Sequence, residues 1–178
     1  MEDRNNFALR DAGLEDRAAA QAVTLAAYEE YAASMPPFAW EAYRHNICET
    51  VGDPAPAEHI VAEQGGAIVG SVLLFPPMED VTPVPGASFS NEWPEARLLA
   101  VLPAARGHGI AGALMEECAR RAAEAGFQYL TLHTNDQMQV ARHLYERMGF
   151  VRFPPLDFSP MEGVTIKGYR LDVERTGD

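Results

Sequence analysis

Lysine is almost missing from this chain of 178 residues. Lys167 stands alone beside thirteen arginines, a bias that reflects genome base composition and points to no function. Positive charge as a whole is scarce. Lys and Arg number 14 against 26 Asp and Glu, for a net charge of −12. So acidic a chain is poorly suited to track a phosphate backbone, which excludes the ordinary nucleic-acid binder. Cysteine occurs only at Cys48 and Cys118, 70 positions apart. Two such thiols do not make a zinc site and do not match a secreted disulfide framework, so they read as reduced thiols of a cytoplasmic protein. Long apolar runs are missing too. The densest, residues 98–105, is broken by Pro103 and followed by Arg106, far short of the ~20 residues a membrane span needs. No basic patch leads into an apolar segment near Met1, so neither a targeting signal nor a membrane partner is expected. His45, His59, His108, His133 and His143 lack metal-ligand spacing with a cysteine pair or a carboxylate cluster, and no metal is expected.

What is present is ordinary globular material, 47% hydrophobic and 22% charged. The length suits one domain over residues 1–178 that buries roughly 70% of its unfolded surface. The charge is uneven. Residues 1–95 hold sixteen acidic and four basic residues, and residues 96–178 hold ten of each. The whole acidic excess therefore sits in the first half, either as a solubilising surface or as an attractor for cations.

Strands and helices alternate. A short strand at 7–10 leads to Asp11 as a candidate N-cap. Leu14, Ala18, Ala22, Leu25, Tyr28 and Ala32 recur at helical spacing up to Pro36. A weaker helical pattern covers 38–51. Runs at 59–63 and 67–75, joined by Gln64-Gly65-Gly66, form a hairpin signal. Residues 76–94 hold five prolines without periodicity and read as a long loop. A strand at 95–102 follows, then a helix at 109–125 with Leu114, Cys118, Ala122 and Ala125 inward and Gly126 as its stop. A strand at 129–133 precedes a helix at 137–148 with Met138, Ala141, Leu144, Tyr145 and Met148 inward. Strands at 151–158 and 164–173 close the pattern. Such alternation specifies an α/β or α+β fold with a mixed sheet.

The informative segment reads strand, turn, helix: Leu99, Ala100, Val101, Leu102, Pro103, then Arg106, Gly107, His108, Gly109, Ile110, Ala111 and Gly112. Small residues let an anion approach the backbone, and the N–H groups of a first helical turn can bind it with help from the helix dipole. This is a diphosphate cradle. Gly107-x-Gly109-x-x-Gly112 also spells the dinucleotide fingerprint, but four residues separate Leu102 from Gly107. The first acidic residue beyond the next strand is Asp136, too late for the usual ribose carboxylate.

Spelled instead as Arg106-x-x-Gly109-x-Ala111 after Leu99-Ala100-Val101-x-Pro103, the segment resembles the acetyl-CoA signature of the GCN5-related N-acetyltransferases. Downstream, Ala141-x-x-Leu144-Tyr145-x-x-x-Gly149-Phe150 resembles the helix that carries that family's general acid. The resemblance runs over nearly the whole chain. It implies a three-layer α+β fold of the acyl-CoA N-acyltransferase type. The sheet would be mixed and mostly antiparallel, splayed between two central strands, with helices on both faces. It also implies acetyl-CoA as cosubstrate, an amine acceptor and direct transfer. The backbone of Leu99, Ala100 and Val101 would pair with the pantetheine arm, and residues 106–112 would hold the diphosphate.

Direct transfer needs a base to free the amine, donors for the oxyanion and a proton for the departing thiolate. Tyr145 takes the last role by the resemblance. The base is open among His133, Glu95, Glu92 and water. Relatives often place an Asn where Met138 stands, and Asn135 lies one turn earlier. With its acidic excess, the first half implies a cationic acceptor, a small amine or a peptide N-terminus, with Glu29, Glu30, Glu41, Glu79, Asp80 and Glu92 as candidates. A non-catalytic acyl-CoA sensor is the rival reading, and a homodimer is left open.

Overall fold

The computed structural model describes residues 6–84 and 87–173. In chain order its elements are β1 (Ala8–Asp11), α1 (Arg17–Tyr28), α2 (Pro37–Gly52), β2 (Glu58–Gln64), β3 (Ala67–Phe75), β4 (Met78–Val84), β5 (Ala87–Asn91) and β6 (Glu95–Val101). They continue with α3 (Ile110–Glu124), β7 (Tyr129–Thr134), α4 (Gln139–Arg147), β8 (Val151–Arg152), β9 (Phe158–Met161) and β10 (Val164–Asp172). The chain forms two compact units, Met1–Leu74 with Leu98–Glu116, and Phe75–Arg97 with Glu117–Asp178. Strands β1–β2, β2–β3, β7–β10, β8–β10 and β9–β10 pair antiparallel, and β6–β7 pair parallel. The sheet is thus mixed and mostly antiparallel, with four α-helices among the described residues. None of those helices is long and apolar enough to cross a membrane.

The first unit is built on the β2–β3 hairpin, whose residues 68–75 are buried throughout. Its core gathers Ala20, Val23 and Ala27 of α1, Ile47 and Val51 of α2, Val61, Ile68 and Ala100. The face of α1 agrees only in part with the one the spacing suggested: Leu25 and Tyr28 pack against the core. Leu14 is 74% exposed and Ala18 and Ala22 are exposed, while Ala20, Val23, Thr24 and Ala27 are buried. A 3-10 turn over Leu14–Asp16 intervenes, so the α-helix begins only at Arg17 and its phase is reset. With alanine at so many positions, periodicity could not reveal that phase. Nor is Asp11 the cap, since it ends β1. The carboxylate of Asp16 takes the Gly13 N–H at 2.8 Å.

In the second unit β7 is central. Its residues 129–134 pair with β10 over the full length of β7, Tyr129 opposite Asp172 and Thr134 opposite Lys167. The parallel ladder to β6 is short, covering Glu95 to Thr131 and Ala96 to Leu132. Two expectations are corrected here. Residues 76–94 are not a loop, because β4 and β5 pair antiparallel through Val81–Phe89 and Val84–Ala87. Residues 85 and 86 lie outside the described residues. Pro83 is compatible with a two-stranded ribbon, in which every strand is an edge. Residues 151–158 are not one strand either. Pro154 and Pro155 supply no ladder donors, and the chain makes a 3-10 turn over Pro154–Leu156 between β8 and β9. Ala125, expected inward on α3, lies exposed past the helix end.

Candidate active site

Two groups of residues singled out by the sequence lie in separate units, and each has its own geometry. In the first unit β6 leaves regular strand geometry at Leu98, whose φ of +52° is strained for a branched side chain. The strand then runs through Leu99, Ala100 and Val101 into the Pro103–Ala105 turn. Gly107 and Gly109 both adopt left-handed backbone, φ +82° and +81°, which glycine takes at no steric cost. A Cβ added at either one, or at Gly112, would meet nothing within 4 Å. The surface beside these glycines is therefore open. Ile110 begins α3 with its side chain buried, and the Ala113 N–H closes the first helical bond on the Gly109 carbonyl at 3.0 Å. The preceding N–H groups of the turn have no intrahelical acceptor. Open glycine backbone leading into a helix N-terminus fits a diphosphate.

Arg106 sits differently from the simplest expectation. Its Nη1 and Nη2 donate to both carboxylate oxygens of Glu30 at 3.1 and 3.2 Å. Nη2 also donates to the Ala27 carbonyl at 3.2 Å, and Nε to the Val101 carbonyl at 3.4 Å. The His108 ring Nδ1 lies 3.3 Å from the Ala105 carbonyl.

In the second unit the structure joins the two rival bases. His133 Nδ1 lies 2.6 Å from Glu95 Oε1, and Arg97 Nη2 donates to Glu95 Oε2 at 2.7 Å. His133 Nε2 meets the Leu156 carbonyl at 2.7 Å. A carbonyl only accepts, so Nε2 carries a proton. Glu95 is only 3% exposed. Burial is the largest influence on its carboxyl and pushes it up. The hydrogen bond from His133, the Arg97 charge and their further contributions outweigh burial and leave the group below its ordinary 4.5. The Phe158 ring packs edge-on against His133 at 5.3 Å, and the Arg97 guanidinium stacks 4.4 Å over Phe75.

Gly168 explains how Leu156 reaches the histidine. It lies opposite His133 in the β7–β10 register. A Cβ there would come within 2.6 Å of Leu156 Cβ and 2.8 Å of the Phe153 carbonyl. Only glycine lets the Pro154–Leu156 turn lie so close to β10. Neither Leu156 nor Gly168 carried a sequence signal. Arg97 did, because positions 95 and 97 share one face of a strand. Tyr145 of α4 is buried and packs edge-on against Phe150 at 5.7 Å. Met138 precedes α4 at its N-cap, and Asn135 Oδ1 accepts the N–H of Gln137 and Met138 at 2.9 and 3.2 Å. Among the acidic candidates Glu29, Glu41, Glu79 and Glu92 are exposed, and Glu30 is paired with Arg106. The side chain of Asp80 lies outside the described residues. Among those residues no group of three His, Cys, Asp or Glu is placed to hold a metal.

No curated protein matches the sequence significantly. Solved structures match over most of the chain. The PaiA N-acetyltransferase of Thermoplasma acidophilum, solved with coenzyme A, superposes with a TM-score of 0.70 at 14% identity, covering 94% of this chain and 99% of that one. A GNAT family acetyltransferase of Staphylococcus aureus gives 0.67 at 14% identity over 94% and 99%. A GNAT family acetyltransferase of Brucella melitensis, solved with acetyl-CoA, gives 0.59 at 25% identity over 82% of each chain. These likenesses match the mixed sheet and helix order described above. The model of the acetyltransferase (GNAT) family matches residues 24–150, from α1 to the end of the Tyr145 segment, and the chain belongs to that family.

Proposed function

We propose that the chain is an N-acetyltransferase that uses acetyl-CoA to acetylate an amine by direct attack. The observation that carries the reading is the buried Glu95–His133 pair, 2.6 Å apart and backed by Arg97. Attack requires a neutral amine, so a group must take its proton. Glu95 holds the proton on His133 Nδ1 and leaves Nε2 as the exchanging atom, as a carboxylate does for a histidine base elsewhere. In the resting state Nε2–H rests on the Leu156 carbonyl. The accepting state is reached when that proton passes to solvent water while Nδ1–H stays on Glu95, and Nε2 then takes the proton of the attacking amine.

The bound thioester supplies the acyl carbon and a thiolate leaving group. The backbone at Leu99, Ala100 and Val101 orients the pantetheine arm, and the N–H groups at Gly109, Ile110, Ala111 and Gly112 hold the diphosphate. Tyr145 O–H is the proton donor to the leaving sulfur. That role rests on family membership and on the match of its segment to the family pattern.

The acceptor class proposed is a small cationic amine or a peptide N-terminus. Support comes from the acidic excess of residues 1–95 and from the exposure of Glu29, Glu41, Glu79 and Glu92. Carboxylates of this kind steer cations inward, an effect that fades with salt.

The test is CoA release from acetyl-CoA with a panel of amines, followed by pH profiles. His133→Gln and Glu95→Gln should remove or displace the limb of kcat/KM that reports loss of a proton. An unchanged profile in both would assign the proton to water or Glu92. For the best cationic acceptor, kcat/KM should fall between low and high ionic strength. A salt-independent value, or preference for an acidic acceptor, would overturn the acceptor class and leave the acetyl transfer standing.

A further inference from the structure

Arg106 has five N–H donors. Three go to Glu30 and the Val101 carbonyl and a fourth to the Ala27 carbonyl, within 3.1–3.4 Å. One donor is left for anything else. The side chain that the sequence places at the diphosphate is thus committed to the C-terminal end of α1 and to the end of β6. Glu30 has a further neighbour in Tyr31. Burial, followed by the Glu30 charge, raises the Tyr31 phenol, which also hydrogen-bonds to Glu30, while Arg106 opposes the rise. Tyr31 packs edge-on against Tyr28 and Tyr28 against Tyr43, both at 5.9 Å, so the ion pair continues into the α1–α2 aromatic contacts.

We infer that Glu30 is a positioning residue for the cofactor cradle. Its two-pronged pair with Arg106 makes the arginine a clamp between α1 and β6 that holds residues 102–109 in their binding shape. Arg106 then serves the diphosphate through the loop it fixes, and the phosphates bind backbone N–H groups. The inference rests on the reading of residues 107–112 as the diphosphate cradle. A direct arginine–phosphate contact makes the opposite demand. Glu30 would then compete with the phosphates, and removing its charge would strengthen binding.

A fork also distinguishes the two. Arg holds two carboxylate oxygens and two carbonyls together, which a lysine ammonium cannot reproduce, whereas lysine keeps the charge a phosphate would need. Both side chains are partly exposed, 40% for Arg106 and 49% for Glu30. The effect is therefore modest, about three- to tenfold.

The experiment measures the coenzyme A Kd by calorimetry, and acetyl-CoA KM and kcat, for the wild type, Glu30→Gln, Arg106→Gln, Arg106→Lys and the Glu30→Gln/Arg106→Gln double variant. Glu30→Gln should raise Kd and KM about three- to tenfold with kcat unchanged. Arg106→Lys should fail to restore affinity, and the double variant should bind no worse than Arg106→Gln. Tighter or unchanged binding in Glu30→Gln, full affinity in Arg106→Lys, or additive losses in the double variant would each overturn the clamp. If the Arg106 variants do not fold, the sign of the Glu30→Gln effect decides alone. A wild type that does not bind coenzyme A would overturn the cradle itself, an outcome distinct from a wild type that binds and a Glu30→Gln variant that binds better.

Discussion

The cradle in the first unit and the charged pair in the second are built from opposite materials. The cradle is made by leaving side chains out. Gly107 and Gly109 take left-handed backbone with open space where a Cβ would be, and the ligating groups proposed there are peptide N–H. The pair is made by burying side chains at high electrostatic stakes. Glu95 is 3% exposed and is held by His133 and Arg97, with Leu156 behind the histidine. A backbone site tolerates exposure because each N–H is a weak, fixed donor. A buried carboxylate persists only with its charges compensated, so it is tied to folding as well as to the proton transfer proposed for it.

Placing charge in the cradle should break the contrast most visibly. Gly109→Glu adds a carboxylate beside the diphosphate and a side chain at positive φ, and acetyl-CoA affinity should fall by about 10³-fold. Calorimetry alongside a thermal melt checks this, and a folded variant with unchanged affinity would remove the cradle assignment. Next in size is the loss of the buried charge. Glu95→Gln leaves His133 and Arg97 facing each other without a carboxylate and should cost about 3 kcal/mol of stability in denaturant unfolding. Because the folded Glu95 carboxyl is lowered from 4.5, its contribution is full above the unfolded value and disappears as pH falls through the folded one. The gap between wild type and Glu95→Gln should therefore close in acid. A gap that widened in acid would contradict the ion pair.

Tyr145→Phe keeps the ring against Phe150 and removes only the hydroxyl. Turnover should drop about 10²-fold with little change in acetyl-CoA affinity. Equal turnover on a good acceptor would make Tyr145 a packing residue. The smallest effect sharpens the comparison from the other side, because the first unit also holds a charged pair, outside the proposed catalytic groups. Asp16 binds Arg10 at 2.6 Å and the Gly13 N–H at 2.8 Å. The Arg10 hydrogen bond, then the Gly13 N–H, lowers its carboxyl from 3.8 to about 2. Asp16→Asn should cost about 1 kcal/mol, as the loss of a cap does. The difference from wild type should be full above pH 3.8 and vanish near pH 2, with kcat/KM at neutral pH unaffected.

Local chemistry explains which features were legible. A glycine in a tight strand–turn–helix passage has few roles, so the open backbone at Gly107, Gly109 and Gly112 was legible without coordinates. Gly65-Gly66, Gly126 and Gly149 likewise marked a turn and two helix ends. Alanine carries no such information, and α1, with alanine at six of its twelve positions, buried Ala20, Val23 and Ala27, which spacing did not pick, beside Leu25 and Tyr28, which it did. The prolines of 76–94 and 151–158 were read as loop and as strand, and the structure made them a ribbon and a turn.

By itself the sequence determined the glycine-rich strand–turn–helix passage and its match to a family, because these depend on residues near one another in the chain. Only the tertiary structure decided that Glu95 and His133, 38 positions apart, share a proton-bearing contact. It also decided that Arg106 spends its donors on Glu30, 76 positions away. Such partners are chosen by strand register and by close approaches like that at Gly168. A one-residue slip of register would turn every side chain of β7 to the opposite face.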